Sequence, residues 1–268
     1  MRASYAFVER NFNLIKRYWS WELVWLVYST ADCLAVSFIG LGMQKIGGGQ
    51  NVNSAYLVLY LLVGTLVWRY LSTIFYWITD LISIERWEGT IEYTLMAPIH
   101  RFTHMAGQTF FAVTYGLLFT GVILIVTSII LKINLANANL LGGIVMLLAG
   151  CFSFIGISIM ASVLPLLFPE RGEQMTHVFI ALLLLVSGVY YPVSILPGIL
   201  KEVAVFSPAT YVLDGTRRAL LEGLPTAQLW PCIWPVLIMG LVLIPAGLWV
   251  FRIAEKYAKR TGKLHRNG

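Results

Sequence analysis

The sequence predicts an all-α integral membrane protein that crosses the bilayer six times. Three observations carry this expectation. Hydrophobic residues make up 58% of the 268 positions and charged residues only 12%, against about 25% charged in a soluble domain. Apolar runs long enough to cross the hydrocarbon take up most of the length and leave no polar block that could build a soluble core. Lys and Arg concentrate toward the two ends, where the anionic cytoplasmic leaflet attracts them, so the net charge of +6 does not point to nucleic acid. The whole of residues 1–268 therefore reads as one membrane domain.

Residues 1–21 place Val8, Phe12, Ile15 and Trp19 at helical spacing, with Arg10, Lys16 and Arg17 elsewhere on the wheel. This is an amphipathic helix, lying in the headgroup region or packed on a neighbouring subunit. No short apolar stretch with a small-residue cleavage site precedes the first span, so no leader is expected to be removed. The first two spans are expected at residues 22–43 and 55–78, joined by a glycine-rich loop. Asp32 and Arg69 fall midway along them. An ionisable group there costs about 3 kcal/mol, so each must face protein or water. Two readings stand: a buried structural ion pair, or a place on a substrate path. The second span is also rich in rings (Trp68, Tyr70, Phe75, Tyr76, Trp77), which suit an interfacial belt or a stacking surface.

A polar island at 84–98 separates the second span from a third at 105–131 and a fourth at 140–167. The short loop 132–139 makes those two antiparallel neighbours. Gly150, Ser153, Gly156, Ser158 and Ser162 dot the fourth span, which allows close helix approach or a smooth wall. Pro165 and Pro169 end it, and a charged turn leads to a fifth span at 176–191, barely long enough to cross. The stretch that follows holds Tyr190, Tyr191, Pro192, Pro197, Pro208, Tyr211 and Asp214. Its prolines forbid one continuous helix, and its pieces are too apolar for a solvated loop and too short to span. That is the length signature of re-entrant or interfacial helices over 192–222. A sixth span at 230–251 precedes a basic tail, 252–268. Lys and Arg outside the spans favour the side holding both termini, Arg86, Arg101 and Arg171, which the positive-inside rule makes cytoplasmic.

Catalytic signatures are missing: there is no phosphate-binding Gly-rich loop with Lys-Ser/Thr, no His-Glu-x-x-His and no Gly-x-Ser-x-Gly. Cys33, Cys151 and Cys232 lie in or beside separate apolar runs without ligand spacing. His100 and His104 stand at i, i+4 but lack an evident third ligand, so no metal site is expected. The polar island itself winds into an amphipathic helix, with Trp87, Ile91 and Leu95 on one stripe and Glu85, Glu88 and Glu92 on the next. An anionic leaflet repels such carboxylates, whereas a basic protein partner would meet both stripes.

Three strings occur in order: Glu85-Arg86-Trp87-Glu88-Gly89-Thr90-Ile91-Glu92 leading to Leu95–Pro98, then Gly188–Pro197, then Ser207–Tyr211 with Asp214-Gly215. Together they resemble the membrane subunit of bacterial ABC exporters of the ABC-2 (type V) permease class, whose six-span fold is shared with G-subfamily transporters. The resemblance implies that residues 1–21 are a connecting helix. It implies that Glu85, Arg86, Trp87, Glu88, Gly89, Thr90 and Glu92 belong to a cytoplasmic coupling helix that contacts an ATPase subunit, and that 192–222 forms short re-entrant helices. It further implies two ATPase subunits, a second copy of this permease or a close paralogue, and surrounding lipid in the cell membrane, with both termini cytoplasmic. No cofactor is expected on this chain, because ATP and Mg would sit on the partner. The function so implied is ATP-driven export of a hydrophobic or amphipathic compound, the inner spans offering few charges for an ionic polymer. A polysaccharide or lipid-linked glycan exporter is the alternative within the fold; an ion-coupled transporter or an intramembrane lipid-modifying enzyme are the alternatives outside it.

Overall fold

The computed structural model describes residues 2–46, 54–87, 89, 96, 101–133, 137–168 and 170–261. Helices account for the regular structure among them, in the order α1 (Arg2–Arg17), α2 (Trp19–Ile46), α3 (Ser54–Trp87), α4 (Arg101–Leu131), α5 (Leu140–Ala161), α6 (Val163–Leu167), α7 (Gly172–Ser187), α8 (Gly198–Val205), α9 (Pro208–Leu221) and α10 (Trp230–Arg260). Single 3-10 turns at Val193–Ile195 and Thr226–Leu229 precede α8 and α10.

Among the described residues, five stretches are long and apolar enough to cross a membrane: Trp19–Met43, Ala55–Glu85, Met105–Leu131, Leu140–Leu167 and Thr226–Arg260. The expected fifth crossing is different. α7 has 16 residues, which at 1.5 Å each reach about 24 Å, short of a hydrocarbon core of about 30 Å. It starts four residues before the expected span and stops four residues early, because Gly188 turns the chain with φ 71. A left-handed glycine after the last helical residue is a strong stop. The fourth crossing is also divided, at Ser162, between α5 and α6. Pro165 has no N–H for the Ala161 carbonyl, and its ring crowds that carbonyl.

α3 and α5 form the centre. α3 packs against α2, α4, α5 and α9, while α5 packs against α9 and α10. The main core joins Tyr70, Phe75, Phe154, Val212 and Phe251, and a smaller cluster of Cys33, Leu62, Leu66 and Ile123 ties α2 to α3 and α4. α1 lies along α4, where Asn11 Nδ2 donates to Gln108 Oε1 at 2.7 Å and Gln108 Nε2 donates to the Trp77 carbonyl at 3.0 Å. Phe12 meets Phe111 edge to face. The amphipathic segment is thus docked on its own chain. Trp19, expected on the stripe of Val8, Phe12 and Ile15, instead opens α2 after a break at Tyr18.

The small residues of α5 serve close approach. A Cβ on Gly156 would stand 2.5 Å from the Leu243 carbonyl carbon and 2.7 Å from the Ile244 nitrogen of α10. Nearby, Ser153 Oγ donates to the Val236 carbonyl at 2.5 Å. Gly150 leaves room for Val212 of α9 and Leu71 of α3. With no hydrophobic force between helices in lipid, such contacts hold the bundle by van der Waals packing and a few interhelical hydrogen bonds. Gly156→Ala should therefore lose about 1–3 kcal/mol through overpacking. Gly121→Ala on α4, where nothing lies within 4 Å of the added Cβ, should be neutral or gain up to about 1 kcal/mol. Thermal unfolding of both purified variants in one detergent checks the opposite signs.

Candidate functional site

The first candidate lies at the end of α3. Glu85, Arg86 and Trp87 form its last turn, so the expected coupling helix does not begin as a separate element at residue 84. Glu85 is 1% exposed, contrary to its expected place on a wet acidic stripe. It continues the inward row of Ile78, Leu81 and Ile82 at i, i+3 and i+4 spacing. Gly89 follows with φ 71. Glu88, Thr90 and Glu92, with the side chains of Arg86 and Trp87, lie outside the described residues, as do His100 and the side chain of His104.

The second candidate is Asp32 with Arg69. The ion pairs among the described residues include Arg218–Asp214 and Lys259–Glu255; Asp32 and Arg69 do not form one with each other. Arg69 instead donates to Ser29 Oγ, one turn before Asp32, and its guanidinium lies 6.0 Å from the Tyr28 ring centroid. Asp32 is exposed on the flank of α2, about 100° around the helix from the middle of its inward seam of Ser29, Cys33, Ser37 and Gly40. Nearer the α2 start, Tyr115 Oη donates to Glu22 Oε2 at 2.5 Å.

The third candidate is the broken segment. α7 stops against α3 at Gly64, ten residues after the start of α3 and so about 15 Å along it. A Cβ on Gly64 would collide with the Val189 carbonyl oxygen and stand 2.7 Å from an Arg217 nitrogen. From α9, Arg217 donates Nη1 to the Gly188 carbonyl at 3.0 Å and Nη2 to the Val189 carbonyl at 2.6 Å. Its guanidinium carbon lies 3.5 Å from the centroid of Tyr60 on α3. One cation thus satisfies carbonyls that helix ends leave without partners, at the end of the helix dipole that favours positive charge. Both Arg217 and Arg218 are cations.

The chain leaves this point at Gly188 and returns to it. Ser187 Oγ and Ser207 Oγ are 2.9 Å apart, closing an excursion that holds the 3-10 turn and α8. Pro192 and Pro197 stand just before those two elements and Pro208 opens α9, where a missing N–H is harmless. Tyr191 Oη donates to the Leu185 carbonyl at 2.5 Å, Tyr190 is partly exposed, and Tyr211 packs on the main core. Asp214 pairs with Arg218 at 2.8 Å on a half-exposed face. α9 then climbs from Val212 beside Gly150 to Leu220 beside Gly143. At its far end Asn139 accepts from the Gly142 N–H at 2.9 Å and donates to the Leu224 carbonyl at 2.7 Å and to Thr226 Oγ1 at 3.1 Å.

Arg217 and Asn139 organise this region, and neither is among the predicted site residues. Asn139 carried a readable signal, an N-cap residue before an apolar run. Arg217 had none, because its carbonyl partners lie 28 and 29 positions away. Among the described residues no group of three or more His, Cys, Asp or Glu could hold a metal. What the arrangement supplies is a packed helical bundle in which α7 gives way to the broken segment.

Compared with known proteins, residues 3–221 match the family described as ABC-2 type transporter. No curated protein sequence matches the chain. Arg217→Ala should cost about 2–4 kcal/mol by leaving buried carbonyls unpaired. Arg217→Lys should recover less than half of that, since an ammonium replaces neither the fork nor the ring contact. Arg218→Ala, which breaks an exposed pair, should cost at most about 1 kcal/mol. Unfolding midpoints of the three variants in detergent test the ranking.

Proposed function

The chain belongs to the ABC-2 type transporter family, and from that membership we propose that it is the permease of an exporter whose ATP is hydrolysed on a separate subunit. As an ABC-2 membrane domain it is a transport component and not a catalytic ATPase domain. The observation that carries the proposal is the match itself, which runs from α1 through α9 and so takes in the broken segment as well as four crossings.

Two such permeases, or one with a close paralogue, would enclose a path in the cell membrane and bind two ATPase subunits at the residues after α3. In this reading α7 together with the broken segment makes the sixth crossing, 192–222 is re-entrant, and both termini are cytoplasmic. The cargo is a hydrophobic or amphipathic compound moved outward from the cytoplasm or inner leaflet. α3 supports this mechanism geometrically. It is one helix of 34 residues, about 50 Å long, with Glu85 near one end and the Tyr60 and Gly64 contacts of the broken segment toward the other. A rigid element of that kind carries a displacement at the ATPase face to the interrupted crossing. Nucleotide would act only through its different affinity for the two states.

Glu88→Lys combined with Glu92→Lys should reduce both transport and transport-linked ATPase stimulation at least about tenfold, by reversing charge at the proposed contact. Membrane insertion should be unchanged. Wild-type transport by the double variant, measured in proteoliposomes with the ATPase subunit, would overturn the docking assignment.

A further inference from the structure

We infer that the outward face of α2 binds the cationic group of an amphipathic organic cation, with Asp32 as its counter-charge; this rests on the reading of the chain as an exporter of amphipathic compounds. α2 turns its seam of small residues toward α3. The flank beside that seam carries Trp21, Trp25, Tyr28 and Asp32 at i, i+4, i+7 and i+11, all exposed. The rings form a row, Trp21 to Trp25 at 6.3 Å and Trp25 to Tyr28 at 5.8 Å, each edge to face. Asp32 closes the row about midway along the stretch Trp19–Met43.

A carboxylate at that depth is costly unless something meets it. Among the described residues, no hydrogen bond or ion pair engages Asp32. The neighbouring cation, Arg69, is directed at Ser29 and Tyr28, on the flank of the face. Glu22, on the same helix, lies instead on the inward seam, where the Tyr115 hydroxyl already meets it. The negative charge of the ring face is therefore that of Asp32. An anionic compound is repelled by it, and a neutral one leaves Asp32 unmet. A divalent metal ion needs more oxygen ligands than one carboxylate supplies. An organic cation satisfies every feature: its charge meets Asp32, and its apolar body lies on ring faces that also attract positive charge.

The test uses the full chain in lipid nanodiscs for binding, and in proteoliposomes with its ATPase subunit for export. The probes are tetraphenylphosphonium, a cation, and Nile red, which is neutral. Asp32→Asn should weaken tetraphenylphosphonium binding about tenfold and lower its export in proportion, with Nile red unaffected and Asp32→Glu restoring the cation. Equal losses for both probes, or no loss for either, overturn the inference. So does conversion of dimers to monomers by Asp32→Asn, which would assign the face to a second copy. A wild-type protein that exports Nile red but neither binds nor exports the cation overturns the inference and leaves the exporter reading standing. One that exports neither probe overturns the proposed cargo class itself, and the inference with it.

Discussion

A buried backbone carbonyl without a helical partner must find a donor, and in this protein the critical carbonyls are those of Gly188 and Val189. α7 ends there, where the chain turns at Gly188 against α3. Arg217 meets both oxygens from α9 and rests on the Tyr60 ring of α3. Three elements far apart in the chain therefore meet at one guanidinium. Gly64 permits this by having no side chain at the point of contact. The Ser187–Ser207 pair closes the excursion beside it, and Asn139 secures the other end of α9.

This arrangement links local chemistry to the proposed transport cycle. α3 carries the contact at one end and the approach to the polar island at the other. Its buried stripe runs to Glu85, the last residue of the apolar span, so the last turn of the helix is anchored in its own bundle. Any partner docked after it would push on a rigid rod. α2, by contrast, leaves the rings of Trp21 and Trp25 exposed, with Tyr28 beside Arg69 of α3.

Much of the fold was legible because apolar length is a strong signal. Five long apolar stretches follow from it, those at 105–131 and 140–167 with the bounds expected, and so does the all-α class with the proline-broken stretch. The errors have physical causes. The second span was expected to stop at 78, but Asp80 and Glu85 did not end it, since the inward row of Ile78, Leu81, Ile82 and Glu85 keeps helical spacing. α7 was expected to reach 191, yet Gly188 stops it. Asp32 and Arg69 share a depth, which invited the pairing; helix rotation turns one outward and the other toward Ser29, and no single-sequence pattern reports rotation about a helix axis. The role of Arg217 depends on carbonyls with no side-chain signature at all.

The claim that Arg217 holds α3, α7 and α9 together is tested most directly by a double-mutant cycle. Tyr60→Leu, Arg217→Met and the combined variant would be unfolded in one detergent and their stabilities compared with the wild type. The account predicts a coupling of at least about 1 kcal/mol between the two positions. Additivity within about 0.3 kcal/mol would contradict it.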